Sequence, residues 1–327
     1  MPWSEAFINN YKGPESSFWT GRTSPVELGP QYLHEAIRLV DLAEQPTPEV
    51  SDIGFLGYAC DEGVRRNSGR LGAVEGPTAL RKALAKMAWH HRELSVTDFG
   101  DVHCQEGQLE EAQLALSEAV SSLHDQCIFP VLLGGGHDMA YGHAKGLLES
   151  KTWAAQHIGL LNLDAHFDLR RAEPKAHSGS PYHQLLEEYA DRLSYLVLGI
   201  QKAANPPELF ETARQFGVDW VEMGTTLHGF VEESLERLDE WLNTVDAVYL
   251  SIDLDGFASA FSPGVSAASP MGFDPSFGLQ VIERLCSSKK LISLDLAECN
   301  PKVDGSGQTA LLGARLIHQL SSGLKGE

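Results

Sequence analysis

At 327 residues and 43% hydrophobic composition, the chain carries enough apolar material for one large core and needs no disulfide or metal staple to fold. Its 25 basic against 45 acidic residues leave a formal charge of −20, which opposes phosphate backbones and anionic membrane surfaces, so neither nucleic acid nor a membrane is an expected partner. Five widely spaced cysteines without a CxxC pair describe neither a disulfide framework nor a zinc cage, and the sequence shows no secretory leader and no run of about 18 apolar residues, so a cytoplasmic chain is expected.

Residues 1–45 show little periodicity and read as an N-terminal arm or cap on a single domain spanning 1–327. From there, apolar or β-branched runs recur at Ile53–Tyr58, Thr97–Gly100, Ile128–Leu133, Ile158–Leu163, Leu193–Ile200, Val218–Met223, Ala247–Leu254 and Leu291–Leu296, and each predicts a strand. Helical spacing intervenes at Pro77–Trp89, Leu109–Leu123, Ala140–Leu148, Pro207–Phe216, Phe230–Asn243 and Pro275–Leu285. Strand–helix alternation predicts an α/β fold of three layers, α/β/α, around a mostly parallel sheet of about eight strands. The runs "IFPVLL" and "IGLLNL" are apolar throughout, as burial on both faces requires, and belong at the sheet centre. Polar residues just past such strands lie where open parallel sheets place their ligand crevice.

Three strand ends carry them. "IFPVLL" runs into "GGGHD" (134–138), "IGLLNL" into "DAHFD" (164–168), and "AVYLSI" into "DLD" (253–255). Alternate residues on an extended segment share a face, so Asp164, His166 and Asp168 would converge on one cavity, as would Asp253 and Asp255, with His137 contributed by the first segment. Four carboxylates gathered in a crevice repel one another unless cations or protons intervene, and two divalent ions would cancel their charge. Six protein ligands exceed the three of an open catalytic zinc site and suit a binuclear centre with bridging carboxylates. Hard oxygen donors with two imidazoles and no thiolate favour Mn²⁺, two per subunit.

These segments resemble the arginase, or ureohydrolase, family, whose motifs G-G-[D/G]-H, D-A-H-x-D and S-x-D-x-D are matched in order by "GGGHD", "DAHFD" and "SIDLD". The match continues through "SPGVSAASPMGF" (262–273) and "LDLAECNP" (294–301). The resemblance implies a metal-dependent hydrolase of carbon–nitrogen bonds in linear amidines. It implies that His137, Asp164, Asp168 and Asp253 hold one ion and Asp164, His166, Asp253 and Asp255 the other, with Asp164 and Asp253 bridging. It further implies a hydroxide between the metals that attacks the amidine carbon, Asp168 passing the proton to the departing nitrogen, and Glu298 accepting hydrogen bonds from substrate N–H groups.

Within the family, "DEGVRRNSGRLGAVEGP", the third glycine of "GGGHD" and Arg170 after "DAHFDL" resemble the formimidoylglutamase branch, which acts in histidine degradation and converts N-formimidoyl-L-glutamate to L-glutamate and formamide. That substrate is a formimino dicarboxylic amino acid, and Arg170 is expected to pair with a carboxylate of it; Arg65, Arg66 and Arg70 are further candidates for such a contact. The loop "HSGSPYHQ" (177–184) follows the branch's S-G-T-x-F form, without the histidine that arginases and agmatinases carry there, so neither His177 nor His183 is taken as catalytic. The alternatives are a guanidino-acid hydrolase, agmatinase or arginase releasing urea, and a non-catalytic relative, whose usual loss of metal ligands is absent. The family also implies a homo-oligomer.

Overall fold

The computed structural model describes residues 3–46, 48–224 and 226–324. In chain order the strands are β1 (Tyr11–Lys12), β2 (Arg38–Leu39), β3 (Ile53–Ala59), β4 (Val96–His103), β5 (Phe129–Leu133), β6 (Ile158–Leu163), β7 (Leu193–Ile200), β8 (Asp219–Glu222), β9 (Ala247–Asp253) and β10 (Leu291–Ala297). The helices are α1 (Glu5–Asn10), α2 (Leu33–Ala36), α3 (Glu62–Arg66), α4 (Gly76–Leu84), α5 (Leu109–Asp125), α6 (Met139–Glu149), α7 (Pro181–Tyr189), α8 (Pro207–Gln215), α9 (Leu227–Leu242), α10 (Pro275–Ser288) and α11 (Gln308–Gly323). All ten strands join one sheet in the order β1-β4-β3-β5-β10-β9-β6-β7-β8, with β2 also paired to β4. Every pairing is parallel except β1 with β4. The eight expected strands are β3 to β10; the two extra ones are two-residue strands contributed by the first 45 residues, too short to show a period.

Each central strand buries both faces, which is why its sequence does not alternate. On one face Phe55, Val131, Leu250, Ile252, Leu294 and Leu296 meet α4, α9, α10 and α11 in the largest apolar cluster. On the other, Leu160, Tyr195 and Val197 pack under α7 and α8, and Leu56, Tyr58 and Leu132 pack under α5. The α/β/α layering follows. Helix α4 stops at Leu84, short of the expected Trp89, because the backbone beyond it bonds to the N-terminal segment: Leu33 N–H donates to Met87 O at 3.0 Å and Trp89 N–H to Gln31 O at 2.8 Å. Helices α1, α2, α3, α7 and α11 lie outside the six expected helical segments. Helix α7 begins directly after the loop "HSGS" with Pro181 in its first turn, a start that costs no hydrogen bond.

Candidate metal centre and substrate cavity

The strand order brings β5, β10, β9 and β6 side by side, so four neighbouring carboxyl ends supply the segments starting at Gly134, Glu298, Asp253 and Asp164. After β5 the chain must pass tightly between neighbours. A Cβ on Gly134 would sit 2.1 Å from Leu296 O, and one on Gly135 2.1 Å from Cys60 O, so two of the three glycines are required by close backbone approach. Gly136 N–H donates to Cys60 O at 2.9 Å and Glu298 N–H to Gly135 O at 2.8 Å, which fixes His137 against Glu298; the His137 N–H then donates to Glu298 Oε1 at 3.0 Å.

The second and third segments share one local device. Asp164 Oδ1 accepts the backbone N–H of His166 at 2.7 Å, and Asp253 Oδ1 accepts that of Asp255 at 2.7 Å. Each is a carboxylate closing a turn on its own chain two residues on. Strand alternation is therefore not what makes these side chains converge: β6 ends at Leu163 and β9 at Asp253, and the convergence comes from turns beyond them. Asp168 and Glu298 both take left-handed backbone conformations, with φ of 50° and 63°, an uncommon and costly choice for residues with a side chain.

The outcome is two groups of donor atoms, His137, Asp164, Asp168 and Asp253 in one and Asp164, His166 and Asp255 in the other, each with its atoms within 4.8 Å of one another. His137 Nδ1 lies 2.9 Å from Asp168 Oδ2, 3.0 Å from Asp253 Oδ2 and 3.3 Å from Asp164 Oδ2. His166 Nδ1 lies 3.3 Å from Asp164 Oδ1 and 3.4 Å from Asp255 Oδ2. All six residues expected as ligands thus meet, and Asp164 belongs to both groups. Asp253, expected to bridge as well, falls only in the first group.

The electrostatics fit metal ions. Burial disfavours charge on the His137 ring, but Tyr182, Asp164, Asp168 and Asp253 outweigh it and push its pKa well above the ordinary value; burial of His166 is likewise overridden by Asp255 and Asp164. Burial drives Asp255 and Glu298 well above the usual carboxylate range, with Asp253 adding to both, and burial raises Asp168 as well. Asp164 is held low despite its burial by hydrogen bonds with His137 and His166. Protons thus gather wherever positive charge is wanted, and divalent cations would replace them. His137 Nδ1 and Asp255 Oδ1 are moreover buried without a hydrogen-bond partner among the described residues, the condition expected of donor atoms reserved for a metal.

All of these donor residues except the fully buried Asp164 line the floor of a cavity of about 330 Å³ that also reaches Asn67, Arg170, Ser178, Asn205 and Glu298. One oxygen of Glu298 holds the His137 N–H, while Oε2 is buried and has no partner among the described residues. Arg170 is exposed at the cavity, and its guanidinium makes no hydrogen bond or ion pair among the described residues. The other arginines are engaged elsewhere. Arg65 and Arg66 bind Glu62, Arg66 also binds Glu110, and Arg70 binds the carbonyls of Val265 and Ser266, so none of them lines this cavity. His177 faces a separate cavity with Arg65 and Arg66; His183 packs against Phe216. Sequence reasoning assigned no role to Asn67, whose amide donates to Ser178 Oγ at 3.1 Å, or to Tyr182, whose hydroxyl lies 3.2 Å from His137 Nε2. Both stood inside quoted motifs, but neither residue type signals metal chemistry.

A sequence model of the arginase family matches residues 51–322. The formimidoylglutamase of Geobacillus thermodenitrificans is 41% identical over 306 residues, covering 93% of this chain and 94% of that protein. The formimidoylglutamase of Nocardia farcinica is 42% identical over 308 residues, covering 92% and 95%. Among solved structures, Trypanosoma cruzi formiminoglutamase with Mn²⁺ superposes with a TM-score of 0.76 at 24% identity, covering 85% of this chain and 94% of that one. The chain belongs to the arginase family, and it is a hydrolase of that family.

Proposed function

We propose that this hydrolase is a formimidoylglutamase that uses two Mn²⁺ per subunit to convert N-formimidoyl-L-glutamate to L-glutamate and formamide in histidine degradation. The observation that carries the reading is one cavity floored by two donor groups that share the buried Asp164 beneath it, with an Arg170 guanidinium, unpaired among the described residues, at its edge. Near-complete overlap with relatives of that name supports it. The donor set of carboxylates and imidazoles without thiolate supports Mn²⁺. Bound there, the two ions would supply Lewis acidity and bring the pKa of water towards neutrality.

The protein's own groups do the rest. Glu298 Oε2, buried and free, accepts the substrate's N–H groups and holds the cationic formimino end over the floor. Arg170 pairs with a substrate carboxylate and sets the distance between that end and the edge. Asp168, raised by burial, takes up a proton and returns it to the departing nitrogen, a task that needs a carboxyl able to exist in both states. Five free cysteines fit a reducing cytoplasm. No helix among the described residues is long and apolar enough to cross a membrane. A single domain assembled as a homo-oligomer completes the proposal.

The test is product analysis. Metal-stripped protein resupplied with Mn²⁺ should release formamide and glutamate from N-formimidoyl-L-glutamate. Urea from arginine, agmatine or guanidinobutyrate at a higher kcat/KM would replace this reading with a guanidino hydrolase.

A further inference from the structure

On the face of the sheet under α6, between the two smaller apolar clusters, the central strands bury polar groups. Tyr249 and Ser251 of β9, Ser293 and Asp295 of β10, and His143 of α6 are each at most 1% exposed. Register places Asp295 beside Ser251 and Ser293 beside Tyr249. Asp295 Oδ1 accepts the Ser251 hydroxyl at 2.6 Å; Oδ2 accepts the Tyr249 hydroxyl and, at 2.8 Å, His143 Nδ1–H. His143 Nε2 lies 2.8 Å from Ser293 Oγ. The opposite face of the same two strands is filled by Val248, Leu250, Ile252, Leu294 and Leu296, and apolar residues would serve stability equally well here, since a buried carboxylate is costly to desolvate.

The network reaches the metal centre through Ser251. Ser251 Oγ lies 2.9 Å from His137 Nε2. Because the serine hydrogen is committed to Asp295, which as a carboxylate only accepts, Ser251 Oγ is left to accept from the ring, and Tyr182 OH at 3.2 Å is a second acceptor. When a metal displaces the Nδ1 proton, Nε2 therefore carries the one that remains, and Nδ1, the atom facing Asp164, Asp168 and Asp253, is the nitrogen whose lone pair is offered. We propose that Asp295, anchored by His143 and Tyr249 and acting through Ser251, is a positioning residue that sets the tautomer and orientation of His137 for metal binding. This rests on the metal-centre reading above.

The chemistry ranks two variants. In Asp295→Asn the amide oxygen would face His143 and Tyr249, leaving its NH₂ to donate to Ser251; the serine hydrogen would then turn towards His137 Nε2 and favour the wrong tautomer. In Ser251→Ala the ring merely loses an acceptor. Calorimetric titration of metal-free, full-length protein with Mn²⁺ should show two ions bound by the unmodified chain. One of them should bind about 10- to 100-fold more weakly in Asp295→Asn and by a smaller factor in Ser251→Ala, with turnover rescued by excess Mn²⁺ and metal-free melting temperatures retained. Unchanged affinity in both variants overturns the proposal. So does a lowered melting temperature in Asp295→Asn with unchanged affinity, which marks the network as structural. Should Asp295→Asn fail to fold, the affinity of Ser251→Ala decides. Failure of the unmodified chain to bind two ions refutes the metal centre itself.

Discussion

Asp168 and Glu298 are held in left-handed backbone conformations, and both project into the cavity; the strain, on the order of 1–3 kcal/mol each, is carried by the surrounding turns. The same side chains are protonated more readily than ordinary carboxylates because they are buried. Since the pKa values of Asp255, His137 and His166 are raised as well, metal must displace protons on binding. Mn²⁺ affinity should therefore rise with pH, and the calorimetric heat should depend on the ionisation enthalpy of the buffer, showing net proton release; buffer-independent heats would contradict this. Asp253→Ala should remove binding at the group built on His137 and abolish turnover, as metal titration and an assay will show. Arg170→Ala should lower kcat/KM about 10- to 150-fold, mainly through KM, as expected for one lost charge-assisted hydrogen-bonded contact; a fall in kcat alone would place Arg170 elsewhere in the reaction.

At the scale of the elements, α4 is tied to β4 by a fully buried arginine. Arg81 binds Asp98 through Nε at 2.9 Å and Nη2 at 2.8 Å, and Asp101 through Nη1 at 2.6 Å, and Trp19 Nε1 donates to Asp98 Oδ2 at 2.7 Å. Arg81→Met leaves two carboxylates without their cation and should cost about 3–5 kcal/mol by denaturant unfolding of the metal-free protein. Near the end of α5, His124 accepts the Trp153 indole N–H at 3.2 Å, and burial lowers its pKa from 6.5 to about 3. The folded chain keeps this ring neutral while the unfolded chain protonates it below pH 6.5, so its contribution is complete above that pH and is lost as pH falls towards about 3. Between pH 6.5 and 5 the loss is about 2 kcal/mol, and His124→Leu should flatten the stability profile across that window.

For the whole molecule, the candidate metal centre joins the ends of β5, β6 and β9, three strands far apart in the chain, so ions bound there would clamp the middle of the sheet. Ligand binding to the folded state alone stabilises it by about 2.7 kcal/mol at a hundredfold excess over Kd. Stripping with a chelator should therefore lower the melting temperature, Mn²⁺ should restore it, and Asp253→Ala should show a smaller difference between the two states.

The eight strands β3 to β10 and the six metal-capable side chains were legible in the sequence, because a strand buried on both faces must be apolar throughout and the polar residues that follow it stand out against it. The arrangement of those strands was not. Placing β10 between β5 and β9 is a long-range pairing, and it alone sets Glu298 against His137, leaves its second oxygen free, and places Asp295 beside Ser251. Local spacing also misassigned how the ligands converge, since carboxylate-closed turns rather than strand alternation aim Asp164, His166 and Asp255. It singled out Arg170 but left Arg65, Arg66 and Arg70 open as further contacts, because which guanidinium is engaged elsewhere depends partly on partners that folding brings in, such as Glu110 for Arg66 and the carbonyls of Val265 and Ser266 for Arg70. Sequence by itself determined which residues are apolar enough to pair and which can bind a cation; only the tertiary structure decided which of them share a cavity, because hydrogen-bond and charge partners are chosen by proximity in space.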